Sequence, residues 1–323
     1  MSQEPSRQSS STSESPLMKV RVPASTSNLG SGFDVVGLAL QMYLEVAASA
    51  TGSQLEIIPE GLGAPEIPID RTNLIYRMIA EHAGDRMPGG LKLRIKNGIP
   101  LTRGFGSSAA ATVAGISLGH WIRSGTPPER APVLDAASKV EGHPDNVSAC
   151  VLGGLTVSAV IDDQVVATSL RVPLGIQIVV IIPEREIPTK KAREVLPLSI
   201  PRAEAVFNLQ RLGLLLSGLF LNRKEYLIHG VGDQIHQRRR FPLLPAMGGA
   251  VQVLNENRAC LGAFISGAGP AIAAFTSGEG IRLGEIGVAE FKKWNVPAEY
   301  RVLAPDYLGM TFADEDHGKD HAR

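Results

Sequence analysis

Hydrophobic and polar positions along the chain change their period several times, and each period predicts a different element. Apolar side chains recur at helical spacing over residues 73–83, which predicts a helix. Between residues 91 and 96, apolar and charged positions alternate strictly, as in an antiparallel strand with one face in water. Two earlier apolar runs, residues 18–22 and 38–47, predict strands joined by a loop rich in Ser, Asn and Gly. That loop is the first candidate for a functional site.

The remaining pattern mixes helices and strands. Helices are predicted at residues 108–122, 131–140, 202–221 and 247–255, and strands at residues 151–160, 177–182, 262–266 and 271–276. Because no regular βαβ repeat links them, the sequence predicts an α+β fold of two domains with the active site in the cleft between them. The expected units are a disordered Ser-rich leader (1–17), an N-terminal domain (18–171), a C-terminal domain (172–312) and a polar tail (313–323).

Composition narrows the possible partners. Lys plus Arg and Asp plus Glu both number 32, so no net field attracts nucleic acid or a membrane surface. Gly, Pro or charge interrupts every apolar run before the ~20 residues that a membrane span needs. The two cysteines, Cys150 and Cys260, lie in apolar or small-residue runs and are predicted to be buried thiols in a reducing, cytoplasmic compartment. Any phosphate binding must therefore come from local geometry.

A turn of small residues between Pro100 and Ala110 leads directly into a predicted helix. Gly104 and Gly106 lack Cβ atoms, so their backbone can approach an anion closely. Ser107 and Ser108 add hydroxyl groups, and the start of the helix adds partial positive charge. The turn predicts a phosphate-binding loop, although a glycine turn capped by serine would have the same composition.

The same turn also fits a different fingerprint. Gly104, Gly106 and Ala109 satisfy the G-x-G-x-x-A pattern of dinucleotide-binding Rossmann units, which would make the protein an oxidoreductase. The strand before such a loop is usually buried on both faces, whereas residues 91–96 carry a charge at every second position. No Gly-Lys-Ser/Thr sequence closes the turn, so it is not a Walker A loop either.

Residues 100–110 resemble the phosphate loop of the GHMP kinases, a family that includes galactokinase and mevalonate kinase. Three further segments, residues 23–37, 141–147 and 266–270, resemble the other motifs of the family in the same order. The similarity spans about residues 18–310 and implies the two-domain GHMP kinase fold, with ATP and Mg²⁺ as cofactors. The strings Asn-Leu-Gly-Ser-Gly-Phe-Asp and His-Pro-Asp-Asn-Val are similar to those of members that phosphorylate an amino-acid alcohol. The resemblance thus implies homoserine as the small-molecule substrate.

The resemblance also implies roles for individual residues. Glu141 and Ser107 would hold Mg²⁺ between the β- and γ-phosphates, although a glutamate that ends a helix could simply lie on the surface. Asn28, Asp34 and Asn146 would line the substrate site, although such residues are also common in turns. With Asp34, Ser107 and Glu141 as catalytic residues, we expect direct in-line transfer in which Asp34 positions the substrate more than it removes a proton.

Two basic segments are similar to the family's carboxylate-binding pattern. Thr189 and Arg193 match a pattern of threonine, three further residues, arginine and then Leu-Pro. The sequence after His236 matches in a register that selects Arg240 from three consecutive arginines, which would otherwise be predicted to form a solvated turn. Arg193 and Arg240 would then bind the substrate carboxylate as bidentate donors. The residues implied in nucleotide binding are Asn73, Lys96, Pro100, Arg103, Gly104, Phe105, Gly106, Ser107, Ser108, Ala109 and Ala110.

The chain departs from the family pattern at several positions. Phe105 replaces a leucine, Ser31 replaces a proline and Ala271 replaces a serine or threonine. None of these departures removes an expected ligand, but they leave another small amino alcohol open as substrate. A catalytically silent member is a further alternative, although it would be expected to lose Glu141 or Ser107. A homodimer is expected from the family alone.

Overall fold

The computed structural model of the protein describes residues 18–314. The leader predicted at residues 1–17, and the predicted tail from residue 315 onward, lie outside the described residues. The strands are β1 (Met18–Asn28), β2 (Gly32–Thr51), β3 (Leu55–Gly61), β4 (Gly90–Asn97), β5 (Leu155–Ile161), β6 (Gln164–Leu170), β7 (Gln177–Pro183), β8 (Cys260–Ile265), β9 (Ile272–Thr276), β10 (Ala298–Leu303) and β11 (Thr311–Asp314). The helices are α1 (Leu74–Ala83), α2 (Ser107–Ser124), α3 (Arg130–Glu141), α4 (Asp145–Leu152), α5 (Thr189–Glu194), α6 (Arg202–Phe220), α7 (Leu227–Gly230), α8 (Gln237–Arg240), α9 (Ala246–Asn255) and α10 (Gly280–Lys293).

The first sheet has seven strands and is built around the long strand β2. Its order is β11-β1-β2-β4-β3, while β5 also pairs with β2 and carries β6. All pairs are antiparallel except β3 with β4. On β4, Leu91, Leu93 and Ile95 are buried while Arg94 and Lys96 are exposed, so the predicted alternation is confirmed.

Helices α2 and α4 pack on β1 and β2 of this sheet, α3 packs on α2, α4 and β6, and α1 packs on α2. Two glycines let α1 approach α2 closely: a Cβ at Gly115 would lie 2.6 Å from the Cβ of Met78, and one at Gly119 would lie 2.8 Å from that of His82. Trp121, at the far end of α2, packs edge-on against Phe312 of β11. The position of α2 matters for function because its first residues form the candidate phosphate loop.

The second sheet contains four antiparallel strands in the order β10-β7-β9-β8, with α9 and α10 packed on it. Its core includes Ile181, Ile265 and Phe291, which are fully or nearly fully buried. Two sheets with mixed helices confirm the predicted α+β fold of two domains. No helix within residues 18–314 has both the length and the apolar character needed to cross a lipid bilayer.

The structure corrects the loop predicted between the first two strands. β1 continues to Asn28 and β2 begins at Gly32, so only residues 29–31 form the turn. The polar residues of β1 remain in a buried strand because other segments supply their hydrogen bonds. Ser25 donates to Asn146 (2.9 Å), and the Oγ1 atom of Thr26 lies 2.8 Å from the Oγ atom of Ser266.

Two other elements differ from the sequence prediction. The strand predicted at residues 151–160 begins at Leu155, because residues 151 and 152 still belong to α4. Residues 313 and 314, assigned to the tail, belong to β11, which pairs with β1. The last described residues therefore return to the first sheet, and the domain boundary near residue 171 stays a prediction.

Candidate active site

The turn before α2 is held in a conformation that glycine favours. Gly104 and Gly106 have φ angles of +87° and +64°. A Cβ on Gly104 would lie 2.1 Å from the carbonyl oxygen of Ser266, and a Cβ on Gly106 would lie 2.1 Å from Oγ of Ser25. Between them, Phe105 is buried and its carbonyl accepts a hydrogen bond from the Ser25 amide (3.0 Å). Phe105 therefore anchors the turn while both glycines keep its backbone close to the neighbouring strands.

Amide groups at the start of α2 have no hydrogen-bond acceptor within residues 18–314. Its N-cap is Gly106, which offers no side chain to accept from them, and the first intrahelical bond runs from the Ala110 amide to the Gly106 carbonyl (2.8 Å). The amides of Ser107, Ser108 and Ala109 thus have no acceptor within the helix. All three residues line a cavity of about 120 Å³. The alternative of an ordinary serine-capped turn is not what the structure shows.

Glu141 ends α3 beside the start of α2. Its Oε1 atom accepts hydrogen bonds from Oγ of Ser108 (2.8 Å) and Oγ1 of Thr112 (3.0 Å). Ser107, the expected partner in metal binding, lines the same cavity but makes no hydrogen bond to Glu141. Within residues 18–314, the second oxygen, Oε2, has no hydrogen-bond partner. A carboxylate with one free oxygen beside hydroxyl groups suits Mg²⁺, which prefers oxygen ligands. The residues present therefore fit the implied ion.

The turn between β8 and β9 fastens the second domain to the phosphate loop. Ser266 lies against the loop with its Oγ atom 2.7 Å from the Gly104 carbonyl oxygen. The Ala271 amide donates to the Arg103 carbonyl (3.2 Å), and the Gly267 amide donates to the Ser27 carbonyl (3.2 Å). Backbone groups of the two domains are therefore paired directly at the phosphate loop.

Arg103 forms further hydrogen bonds between the two domains, and these occupy its guanidinium group. Its Nε atom donates to the Pro183 carbonyl (3.0 Å) and its Nη1 atom to the Leu101 carbonyl (2.8 Å). The guanidinium also pairs with the Glu186 carboxylate and the Glu184 carbonyl. Pro100 and Arg103 line a second cavity, of about 290 Å³, between the domains. Direct contact of Arg103 with a nucleotide stays a prediction.

The other half of the 120 Å³ cavity presents charges. Asp34 has a φ angle of +56° and its amide donates to Oδ1 of Asn28 (3.0 Å), so a local hydrogen bond orients it. Its carboxylate pairs with Arg193 through two hydrogen bonds, of 2.8 and 3.2 Å. Each member of this pair is about one-third exposed. An anionic and a cationic group therefore lie side by side within one small site.

Arg240 is the largest of the fully buried side chains. Its Nε atom donates to the Ala192 carbonyl (3.1 Å), while its Nη1 atom lies 3.0 Å from Nδ1 of His236 and donates to the Gly267 carbonyl (2.9 Å). Within residues 18–314, no group accepts from its Nη2 atom. Burial, joined by the positive charge of Arg193, lowers the pKa of Arg240 to about 10, and it remains cationic at neutral pH. Only Nη2 is available to a ligand without the loss of an existing bond.

Asn146 and its neighbours complete the floor of the cavity. Asn146 accepts from Ser25 (2.9 Å) and donates to Oγ of Ser27 (2.9 Å), so both ends of its amide are fixed. His143 hydrogen-bonds to the buried carboxylate of Asp145 and so fixes the loop between α3 and α4. Burial disfavours the imidazolium of His143, but the hydrogen bond and charge of Asp145 outweigh burial and raise its pKa.

The structure brings together most of the expected site. The 120 Å³ cavity is lined by Asn28, Asp34, Gly104, Gly106, Ser107, Ser108, Ala109, Glu141, Asn146, Thr189, Arg193 and Arg240, together with six other residues. Asn73 and Lys96 line neither this cavity nor the one at Pro100. Asn73 caps α1 by accepting from the amides of Ile75 and Tyr76, so its oxygen is already used. Nucleotide contacts of these two residues stay predictions.

Sequence reasoning missed several contacts that hold the site together. Ser108 and Thr112 both bind Glu141, and their spacing of four along a helix was a signal that they share a face. Ser25 and Ser27 fix Asn146 from the adjacent strand β1, and no spacing rule links such distant segments. His236 was noticed only as the start of a motif, yet it contacts Arg240.

Comparison with known proteins agrees with this geometry. The GHMP kinases N terminal domain matches residues 73–154, and the GHMP kinases C terminal domain matches residues 205–283. The chain belongs to the GHMP kinase family.

Homoserine kinases are among the similar proteins of the family. That of Carboxydothermus hydrogenoformans is 39% identical over 91% of this chain and 96% of its own length. That of Moorella thermoacetica is 38% identical over 88% of this chain and 96% of its own length. The crystal structure of homoserine kinase from Cytophaga hutchinsonii superposes with a TM-score of 0.80 at 27% identity, covering 96% of this chain and 100% of that one. Galactokinase of Lactococcus lactis, at 13% identity and a TM-score of 0.68, shares the fold.

Replacement of Gly104 by alanine should weaken ATP binding. Gly125 is a matched control, because its φ angle of +80° is similar but nothing lies within 4 Å of an added Cβ. Both G104A and G125A should lose about 1–2 kcal/mol from the left-handed backbone alone. Only G104A must displace Ser266, so we expect its KM for ATP to rise at least about tenfold, as a loss of about 1.4 kcal/mol would produce. Equal KM values for ATP in the two variants would contradict the importance of this contact.

Acid should destabilise the fold through His236. Burial lowers the pKa of its imidazole to about 4, although the charge of Asp233 favours protonation. Because this folded-state pKa lies below the unfolded value of about 6.5, the stabilisation is complete above pH 6.5 and is lost as the pH falls toward 4, by up to about 1.4 kcal/mol per unit. Urea unfolding at pH 7 and pH 5 measures this loss. His82 and His120 also have lowered pKa values, so the test is the difference between wild type and H236N. Identical pH slopes in both proteins would contradict the assignment.

Proposed function

We propose that this protein transfers the γ-phosphoryl group of ATP to the hydroxyl of L-homoserine, forming O-phospho-L-homoserine for threonine biosynthesis. The observation that carries the proposal is a single cavity that combines the free amides at the start of α2 with the Asp34–Arg193 pair and Arg240. The first half suits phosphate, and the second suits an amino acid. The homoserine kinases that cover most of this chain support the same substrate.

The phosphate-binding half of the cavity acts through backbone amides that face the phosphate oxygens. The amides of Ser107, Ser108 and Ala109 point partial positive charge toward the cavity, and the helix dipole of α2 adds to it. Gly104 and Gly106 allow phosphate oxygens to approach the backbone. We place the adenosine part of ATP on the side of Pro100, where the 290 Å³ cavity lies. No base-specific contact is needed for this arrangement.

The substrate half matches a zwitterion. Asp34 can hold the ammonium of homoserine, while Arg193 and Nη2 of Arg240 can hold its carboxylate. Because Asp34 and Arg193 pair with each other, a ligand with both charges can replace both partners at once. A ligand with only one charge would leave the opposite group unpaired in a partly buried site, which is costly. Mevalonate-type alcohols lack the ammonium and are disfavoured.

The proposed phosphoryl transfer depends on how the site positions the substrate hydroxyl and the transferred phosphoryl group. Asn28 and Asn146 can orient the substrate hydroxyl toward the phosphate loop, and the amides at the start of α2 can stabilise the equatorial oxygens of the transferred group. Glu141 and Ser107 would hold Mg²⁺, which would neutralise charge on the β- and γ-phosphates. Asp34 is committed to Arg193 or to the substrate ammonium, so it positions the substrate and is not required as a base.

The two cysteines bear on the compartment of the protein. The two cysteines are free and buried, and burial raises the pKa of the Cys150 thiol to about 12 and that of Cys260 to about 11. Unreactive thiols suit the reducing cytoplasm, which we propose as its compartment. A homodimer is proposed from the family expectation.

A panel of alcohols tests the function. Coupled ADP-release assays would compare L-homoserine with 4-hydroxybutanoate, which lacks the ammonium, and with 3-aminopropan-1-ol, which lacks the carboxylate. We expect each analogue to reduce kcat/KM at least about 100-fold, because an unpaired charge in a partly buried site costs several kcal/mol. Failure of homoserine to stimulate ADP release, or equal turnover of 4-hydroxybutanoate, would contradict the proposal.

A further inference from the structure

His236 has no part in the phosphoryl transfer, yet it is completely buried beside Arg240. Its Nε2 atom lies 2.8 Å from the Gly30 carbonyl oxygen, and its Nδ1 atom lies 3.0 Å from Nη1 of Arg240. A carbonyl can only accept a hydrogen bond, and a guanidinium can only donate one. Both partners therefore require the same form of the ring, a neutral imidazole with its proton on Nε2.

The surroundings of His236 hold that form in place. Asp233 accepts from the backbone amides of His236 (2.9 Å) and Gln237 (2.7 Å) and from the side chain of Asn208 (2.7 Å). The carboxylate is thus satisfied by neutral donors, and its closest approach to Nε2 is 3.8 Å. Phe33 stacks on the imidazole with ring centroids 5.2 Å apart. The charged groups near the ring are Asp233, Arg240 and, farther away, Asp34.

We propose that neutral His236 is a positioning residue that fixes Nη1 of Arg240 and thereby directs Nη2 of Arg240 at the substrate carboxylate. The proposal rests on the proposed function, because it assigns the carboxylate to Arg240. Nη1 is held by two acceptors, His236 and the Gly267 carbonyl, and Nε is held by the Ala192 carbonyl. Loss of the His236 acceptor would leave the guanidinium free to rotate or tilt within its pocket.

The hydrogen bond to Gly30 gives His236 a second connection. Gly30 lies in the turn between β1 and β2, which carries Asn28 before it and Asp34 after it. The imidazole therefore bridges the segment that binds the ammonium and the arginine that binds the carboxylate.

Two substitutions of His236 can separate its hydrogen bond to Arg240 from its hydrogen bond to Gly30. In H236N the amide oxygen can take the place of Nδ1 and still accept from Arg240. In H236Q the amide nitrogen can take the place of Nε2 and still donate to Gly30, but the acceptor for Arg240 is lost.

The test measures KM and kcat for homoserine, and KM for ATP, in wild type, H236N and H236Q. We expect H236Q to raise KM for homoserine roughly 10- to 100-fold, in line with the loss of a hydrogen bond to a charged group. Its kcat and its KM for ATP should stay within about threefold of wild type, and H236N should recover most of the homoserine affinity. The KM for 3-aminopropan-1-ol, which has no carboxylate, should be the same in H236Q and wild type. H82Q, at a half-buried histidine of α1 outside the cavity, is the matched control and should equal wild type.

Three results would overturn the inference: equal homoserine KM values in H236N and H236Q, a fall in kcat without a rise in KM, or an equal H236Q penalty on 3-aminopropan-1-ol. If wild type does not use homoserine at all, the proposed function fails first, so the two failures are distinguishable.

A measurement without any variant gives an independent test. Nitrogen-15 NMR of the wild-type histidines should show His236 as the neutral Nε2–H tautomer from pH 5.5 to 8, and an Nδ1–H tautomer or an imidazolium would overturn the inference.

Discussion

The carbonyl oxygen of Gly267 is the point on which the two halves of the site depend. It accepts from Nδ2 of Asn28 (2.9 Å) and from Nη1 of Arg240 (2.9 Å), so one acceptor of the second domain orients a residue from each domain. The same turn places Oγ of Ser266 against the Gly104 carbonyl. The hydrogen bonds of Ser266 and Gly267 therefore fix the position of the phosphate loop relative to Arg240, the proposed carboxylate-binding arginine.

Hydrogen bonds and ion pairs also hold the charged side chains of the cavity in position. The cavity contains carboxylates at Asp34, Glu141 and Asp145, guanidinium groups at Arg193 and Arg240 and the imidazole of His143, and each is held by neutral hydrogen-bonding groups or by an opposite charge. Opposite charges side by side at Asp34 and Arg193, with free amides and one free carboxylate oxygen on the other side of the cavity, favour a zwitterion that meets a polyphosphate.

Four motifs in register made the family predictable from the sequence and indicated most of the residues that line the cavity, because glycine, asparagine and arginine at fixed spacing reflect backbone and hydrogen-bonding needs of the site. What the sequence could not provide was orientation. Whether Ser107 or Ser108 meets Glu141 depends on the rotation of α2, which packing against α1 and α3 determines. The polar composition of residues 23–37 suggested a loop, but residues 23–28 belong to β1 and residues 32–37 to β2. Partners on α4 and beyond β8 bind the polar side chains of β1. The free nitrogen of Arg240 likewise depends on three acceptors from separate segments.

We infer that one cavity aligns an amino-acid alcohol with the phosphates of ATP. A crystal structure with L-homoserine, Mg²⁺ and a non-hydrolysable ATP analogue tests it most directly. The predicted result has the phosphates on the amides of Ser107, Ser108 and Ala109, the homoserine carboxylate at Nη2 of Arg240, its ammonium at Asp34 and its hydroxyl facing the terminal phosphate. Homoserine bound outside this cavity, or phosphates placed away from the start of α2, would contradict the account.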